Sequence, residues 1–221
     1  MDKLNGYDIW GYFFPGIIFS ITLYLIYQIG FSRDLSFDAL SGFGNISAFI
    51  FFSYFFGFIL QSIGRYVQDI IFLFRNNPLR TFLFEKSKIL SENEKRMLIA
   101  YLESDYANGI DTSNEYDNYS AFCFCNNYIT INGLYEKSEK LQSLRGLSRG
   151  LAAAFLLNTI MIFIALVVSC DIERINMALC LVFCTISFLI LCSNFISFEK
   201  HRVGNVCRLY LALKKSIGTQ S

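Results

Sequence analysis

Residues 150–170 read GLAAAFLLNTIMIFIALVVSC and contain no Asp, Glu, Lys or Arg. A second uncharged run, INMALCLVFCTISFLILCSNFISF, fills residues 175–198. A bilayer core about 30 Å thick needs roughly 20 apolar residues in a helix that rises about 1.5 Å per residue. Both runs are long enough to cross a membrane, and the few polar residues between them predict a helical hairpin.

Two earlier uncharged runs, residues 9–32 and 39–64, predict another hairpin in the first third of the chain. Helices buried in a soluble protein would show a polar face over such a length, and these runs show almost none. A cleaved signal peptide fits residues 9–32 poorly, because the run is too long and only Lys3 precedes it as a basic residue. We therefore predict an all-α integral membrane protein with four transmembrane helices.

The positions of the Lys and Arg residues predict the orientation of these helices. Ten of the 19 lie in residues 75–149, five lie in residues 200–215, and only Arg33 and Arg174 fall in the two short loops. Basic loops near the ends of spans tend to stay in the cytoplasm. We therefore expect a bacterial inner-membrane protein whose two termini and middle segment are cytoplasmic.

This topology divides the chain into two hairpins, a helical cytoplasmic insertion between spans 2 and 3, and an amphipathic cytoplasmic tail. In the insertion, Asn77-Pro78 is expected to end one helix, and Ser91 with Glu94 forms a capping box at the start of another. The predicted segments are residues 1–74, 75–149, 150–198 and 199–221.

Basic residues flank apolar helix faces beside the predicted spans. One such face belongs to the helix that runs from Tyr135 into the third span, and the other belongs to the tail, where Val203, Val206 and Tyr210 recur at helical spacing. Amphipathic basic helices beside a membrane normally lie on anionic headgroups or pack on a partner helix. Four residues are therefore candidates for contact with lipid headgroups or a partner: Lys137, Lys140, Arg145 and Arg149.

A polar face on the second predicted helix marks candidate pore or gating residues. Gln61, Arg65 and Asp69 share this face, and Arg65 and Asp69 are four residues apart and can pair. Polar or charged groups at membrane depth often serve function, whereas a pair near the boundary is often an ordinary interfacial contact. Asn158 in the third span is the fourth candidate, with helix packing as its alternative role. No G-x-x-x-G pair falls within a predicted span.

The sequence shows little catalytic or metal-binding chemistry. It has no phosphate-binding loop, no dinucleotide fingerprint, no H-E-x-x-H and no G-x-S-x-G, and His201 is its single histidine. The seven cysteines lack zinc-site spacing. A net charge of +1 argues against direct nucleic-acid binding. We expect no catalytic residue, no metal and no cofactor.

Three features resemble a group of small bacterial four-span membrane proteins. They are the opening Tyr-Asp-x-x-Gly-Tyr-x-x-Pro-Gly from Tyr7 to Gly16, the Phe- and Gly-rich second run, and the helix from Tyr135 to Leu151 that enters an Ala-rich third run. Some proteins of this group are encoded beside antiviral defence genes, including accessory membrane proteins of RNA-targeting CRISPR systems and the membrane component of Kiwa-type defence. The resemblance covers both hairpins in outline, leaves residues 88–128 unmatched, and implies a membrane-embedded role in defence.

Two functional hypotheses from different classes stay open. In the first, the protein is a membrane effector that oligomerises and perturbs membrane permeability when its cytoplasmic segment engages a protein partner or signal. In the second, it is a non-conducting anchor that holds a cytoplasmic partner at the bilayer. A lipid-modifying enzyme is a third and lesser alternative, which would require a buried acidic or histidine cluster.

Overall fold

Helices account for 88% of the residues that the computed structural model describes, and none of these residues forms a strand. The described residues are 9–30, 43–105, 110–168 and 174–218. A five-residue π-helical turn, Ile9–Phe13, leads into the first α-helix. The α-helices in chain order are α1 Phe14–Gly30, α2 Phe43–Phe74, α3 Pro78–Thr81, α4 Glu92–Asp105, α5 Glu115–Ile131, α6 Glu136–Val168 and α7 Arg174–Gly218.

Three of these helices, α2, α6 and α7, are long and apolar enough to cross a membrane. They contain 32, 33 and 45 residues. The predictions of an all-helical chain and of a membrane protein are therefore confirmed. Helix α1 is apolar but has only 17 residues, so the fourth span stays a prediction. The two short loops between the predicted spans, near residues 33–43 and 171–173, are expected to be external and fall mainly on residues outside the described ranges.

Local capping explains where the shorter helices begin. The Asn77 side chain accepts a hydrogen bond from the Leu79 amide at 3.1 Å, and Pro78 occupies the first turn of α3. Ahead of α4, the Ser91 amide donates to Glu94 Oε2 at 2.7 Å and the Glu94 amide donates to Ser91 Oγ at 3.3 Å. The predicted capping box is confirmed.

The chain forms two compact units. The apolar unit comprises Met1–Ile70 and Ser143–Phe195, and the polar unit comprises Ile71–Gln142 and Ile196–Ser221. The chain passes between them three times, and each passage lies inside a helix, namely α2, α6 and α7 in turn. No loop residue separates the two units at these three passages, all of which are described.

The polar unit has its own hydrophobic core. Val203, Val206 and Tyr210 of α7 are fully buried there, together with Phe82 and Leu98. The predicted tail is the last part of α7, which continues without a break, and the apolar face expected to lie on headgroups or on a partner helix packs inside the core of the polar unit. Helical spacing reveals that a face is apolar, but it does not reveal what packs against it.

In the apolar unit, large side chains divide between small cores and an exposed surface. One core joins Phe19, Leu60 and the alanines Ala153 and Ala154. Along α2, aromatic side chains remain largely exposed, as expected for a helix that faces lipid. These exposed aromatics are Phe51, Phe52, Tyr54, Phe55 and Phe58.

Candidate functional site

A network of polar side chains in the apolar unit is centred on Arg149. Its guanidinium donates to Gln61 Oε1 from Nη2 at 2.9 Å and from Nε at 3.2 Å, and Nη1 donates to Gln68 Oε1 at 3.2 Å. The Gln61 amide nitrogen donates to the carbonyls of Gly146, at 2.7 Å, and Gly11. Both Gln61 and Arg149 are buried. Gln61 thus joins α2 to α6 and to the turn before α1.

Glycines allow these helices to approach closely. A Cβ atom on Gly57 would overlap the backbone of Tyr12, and one on Gly16 would overlap the backbone of Ser53. Because backbone atoms cannot move aside as a flexible side chain can, these two positions require glycine. Small residues have the same use at other helix contacts in membranes.

A second pair of glycines, Gly146 and Gly150, borders the Arg149 network on α6. A Cβ atom on Gly150 would lie 2.7 Å from Gln61 Nε2 and 2.8 Å from Pro15 Cγ. Gly146 and Gly150 form a G-x-x-x-G pair that starts just before the predicted third span. The pair straddles the start of that span, so the lack of G-x-x-x-G within the predicted spans does not exclude this contact.

The structure separates the four pore or gating candidates. Gln61 is bound within the network, whereas Arg65 and Asp69 are exposed, and no ion pair joins them in the described part of the chain. Asn158 is completely buried, and neither polar atom of its amide has a hydrogen-bond partner among the described residues.

The four candidates for headgroup or partner contact also differ from one another. Lys137 and Lys140 are exposed, as that role requires, and Arg145 is half-buried. Arg149 is 6% exposed and bound to glutamines, so the described surface does not present it to headgroups. Their spacing along α6 placed them in one group, but side chains of α2 bind Arg149, whereas Lys137 and Lys140 are exposed.

The polar unit contains a basic cleft of about 1240 Å³. Five Lys or Arg side chains and His201 line it, whereas Glu85 is its single carboxylate among the described residues. The basic lining residues are Arg75, Lys86, Lys88, Lys200 and Arg208. Sequence reasoning missed this cleft, because its residues come from three separated stretches of the chain.

The loop that carries Lys86 and Lys88 is held at both ends. On one side, buried Lys95 donates from Nζ to the carbonyls of Phe84, at 3.0 Å, and Glu85, at 3.1 Å. On the other side, Arg208 Nη2 donates to the Ile89 carbonyl at 3.3 Å. The backbone between these anchors is fixed without using the side chains of Lys86 and Lys88.

Arg208 also forms the shortest ion pair of the cleft region among the described residues. Its Nε donates to Glu94 Oε1 at 2.7 Å. This bond, with a second from the Ser91 amide, lowers the pKa of Glu94 to about 2, and it raises the pKa of Arg208. Arg208 therefore stays charged and bound to Glu94, and it also holds the loop through the Ile89 carbonyl.

A buried carboxylate in the polar unit bears on the enzyme alternative. Glu199 is fully buried and lies 3.5 Å from Arg202, whose guanidinium also lies 5.2 Å from the centre of the Phe122 ring. Within the described ranges, no group of three or more His, Cys, Asp or Glu residues could hold a metal ion. The Glu199–Arg202 pair is an ion pair inside the polar unit, and the enzyme alternative stays a prediction.

Comparison of the chain with protein-family models, curated proteins and solved structures gave no match.

Proposed function

We propose that the protein is a membrane-embedded effector in which the polar unit receives a signal and the spans respond to it. The observation that carries this proposal is that α2, α6 and α7 each continue from one unit into the other without a loop. Helices transmit displacement along their axes, whereas a device that only tethers a partner needs nothing stiffer than a flexible linker. Three continuous helices favour coupling over simple tethering.

The proposal includes a topology with four spans in the bacterial inner membrane. The turn Ile9–Phe13 and α1 give 22 consecutive helical residues, which at about 1.5 Å each reach roughly 30 Å. The two segments that make up the polar unit carry 13 of the 19 Lys and Arg residues, and this enrichment supports a cytoplasmic polar unit and cytoplasmic termini.

The effector state in this proposal is a homo-oligomer that perturbs membrane permeability. Association of several copies provides a path between them while the packed core of each copy stays intact, which is why the proposal includes an oligomer. The resemblance of the chain to defence-associated four-span proteins supports placing this activity in antiviral defence. A cytoplasmic protein partner or a small signal would act on the polar unit.

The alternative function, a non-conducting anchor, is favoured by the Arg149 network. Gln61 and Arg149 bind each other and two backbone carbonyls rather than facing an open path. In a bilayer, polar groups that bind one another stabilise helix packing. A measurement of membrane potential separates the two functions, because only the effector depolarises the membrane.

The test is membrane potential, followed with a voltage-sensitive dye in bacteria that express the protein alone and then with its neighbouring genes. A Gly-Gly-Ser insertion between Gln142 and Ser143 interrupts α6 where it passes between the units. The matched control is the same insertion after Gly133, an exposed turn residue with a φ of 73°. The effector hypothesis predicts depolarisation by the unmodified protein and by the control insertion, and its loss in the α6 insertion.

Absence of depolarisation in both backgrounds, with membrane insertion verified by fractionation, would contradict the effector function and leave the anchor. Equal depolarisation by both insertion variants would contradict coupling through α6.

A further inference from the structure

The basic cleft of the polar unit concentrates positive charge far beyond the average of that unit. The unit as a whole contains 13 Lys and Arg against 11 Asp and Glu. The cleft lining contains five Lys and Arg against one Glu, so the remainder of the unit is net negative. Concave surfaces with one sign of charge focus the electrostatic potential and attract ions of the opposite sign.

Most of this charge is available to a ligand. In the described part of the chain, Lys86, Lys88, Lys200 and Arg75 form no ion pair and no side-chain hydrogen bond. Arg208 is different, because it is bound to Glu94 and to the Ile89 carbonyl. The cleft thus contains one arginine that holds the loop and four cations that have no partner among the described residues.

The backbone around these cations is fixed in advance. Lys95 and Arg208 hold the loop on either side of Lys86 and Lys88, and the Ser87 amide donates to the Phe84 carbonyl at 2.9 Å. Binding a ligand therefore requires ordering of lysine side chains but not of the loop backbone, which reduces the entropy lost on binding.

A second fixed segment contributes hydroxyl groups. Fully buried Asn118 accepts from the Leu83 amide at 2.9 Å and donates to the Thr112 carbonyl at 2.9 Å, which holds Thr112 beside the cleft. Ser87 also lines the cleft. The hydroxyl groups of Ser87 and Thr112 have no hydrogen-bond partner within the described ranges.

We propose that the basic cleft binds a phosphate-bearing anion, with Lys86, Lys88 and Lys200 as its cationic ligands. Phosphate presents several oxygens that accept hydrogen bonds in many directions, which suits lysine ammonium groups and hydroxyl groups on different segments. The phosphate belongs either to a soluble anion or to a lipid headgroup, since both present the same group. The role of this ligand as the signal of the effector rests on the proposed function. Its binding to the cleft is measured independently of membrane permeability.

The competing explanation is that Lys and Arg collect here only because basic residues favour the cytoplasmic side of a membrane. That explanation predicts weak attraction of anions that depends on total charge and not on which lysines are present. The cleft assignment predicts saturable binding that depends on Lys86 and Lys88 and not on lysines elsewhere in the unit.

The experiment uses the full-length protein purified in a neutral detergent. Binding of inorganic pyrophosphate is measured by isothermal titration at constant ionic strength, with sulfate as the comparison anion. In a second arm, short-chain phosphatidylglycerol and phosphatidylcholine are compared by the shift in melting temperature. The cleft variant is Lys86→Gln with Lys88→Gln, and the matched control is Lys137→Gln with Lys140→Gln, which removes the same charge from exposed positions of the same unit.

We expect at least one phosphate probe to bind saturably to the unmodified protein and to the control variant. The cleft variant should lose about tenfold or more in affinity, because it lacks two of the three cations that bind the phosphate oxygens. Pyrophosphate binding identifies a soluble anion, and a response to phosphatidylglycerol but not phosphatidylcholine identifies a headgroup.

Two results would overturn the assignment: no saturable binding of either phosphate probe, or equal loss of affinity in the cleft and control variants. A cooperative thermal unfolding transition of each variant without ligand shows that the variant is folded. Binding that is retained without any membrane depolarisation would support the cleft while contradicting the effector function, so the two failures are distinguishable.

Discussion

Positive charge is handled in opposite ways by the two units. In the apolar unit, Arg149 is buried and its guanidinium is bound to the side chains of Gln61 and Gln68. In the polar unit, Lys86 and Lys88 are exposed at a cleft, and the loop that carries them is held by other residues. Lipid offers no partner for a buried cation, so the protein must supply one. An exposed cation is solvated by water and needs no protein partner. Charge thus stabilises one unit, and in the other it supplies the cations of the proposed phosphate site.

The largest loss of stability should come from Gln61→Leu in the apolar unit. The substitution removes the oxygen that accepts two donors of Arg149, and it leaves a buried charge short of partners. We expect a loss of at least about 3 kcal/mol of stability, because unpaired buried charges are strongly destabilising. The measurement is thermal unfolding in detergent, with recovery of monodisperse protein as a second readout.

Gln68→Leu is the matched control, because Gln68 is half-buried and accepts a single bond from Arg149. It should lose clearly less stability than Gln61→Leu. Equal losses would contradict a central role for Gln61, and no loss in either variant would show that Arg149 does not depend on these amides.

The second largest loss of stability should come from Gly57→Ala. Its Cβ atom would overlap the Tyr12 backbone, so the helices must separate, and we expect a loss of about 1–3 kcal/mol. The control is Gly204→Ala in the polar unit, where the nearest atoms to a new Cβ lie at 3.5 Å. Melting temperatures of the two variants compare the same chemical change in the two units. A Gly57→Ala protein as stable as Gly204→Ala would refute the close approach.

Sequence alone predicts the helices well and the sites poorly, for a physical reason. Runs without charge predict α2, α6 and α7, and the Ser91–Glu94 pattern predicts the cap of α4, because these signals are local. Gln61 meets Arg149 across 88 positions of sequence, and Arg208 meets Glu94 across 114. No periodicity reveals such partners. The basic residues beside the apolar runs were visible, but orientation in the membrane accounts for them equally well.

A smaller loss of stability is expected when the ion pair between Glu94 and Arg208 is removed. Glu94 has its pKa lowered to about 2 from a usual value of 4.5, so its contribution is fully present above pH 4.5 and is lost as the pH falls toward 2. Arg208 is largely exposed, so solvent screening limits that contribution to about 1 kcal/mol.

Glu94→Gln provides the measurement. Its melting temperature should lie below that of the unmodified protein at pH 7, and the difference should shrink at about pH 3. Added salt should reduce the difference as well. A difference that is constant from pH 7 to pH 3 would show that the Glu94 charge does not stabilise the polar unit.

The smallest effect on stability should come from Arg65→Ala and Asp69→Ala. Both side chains are exposed, and no ion pair joins them among the described residues, so each substitution should change stability by no more than about 0.5 kcal/mol. That near-neutrality makes them useful, because a change in dye-reported membrane potential in these variants cannot be attributed to misfolding. Altered depolarisation with normal insertion would place the two residues beside the permeation path of the oligomer. Unaltered depolarisation, in a protein that does depolarise, would assign them to the outer surface of α2 and leave the path to other faces of the spans.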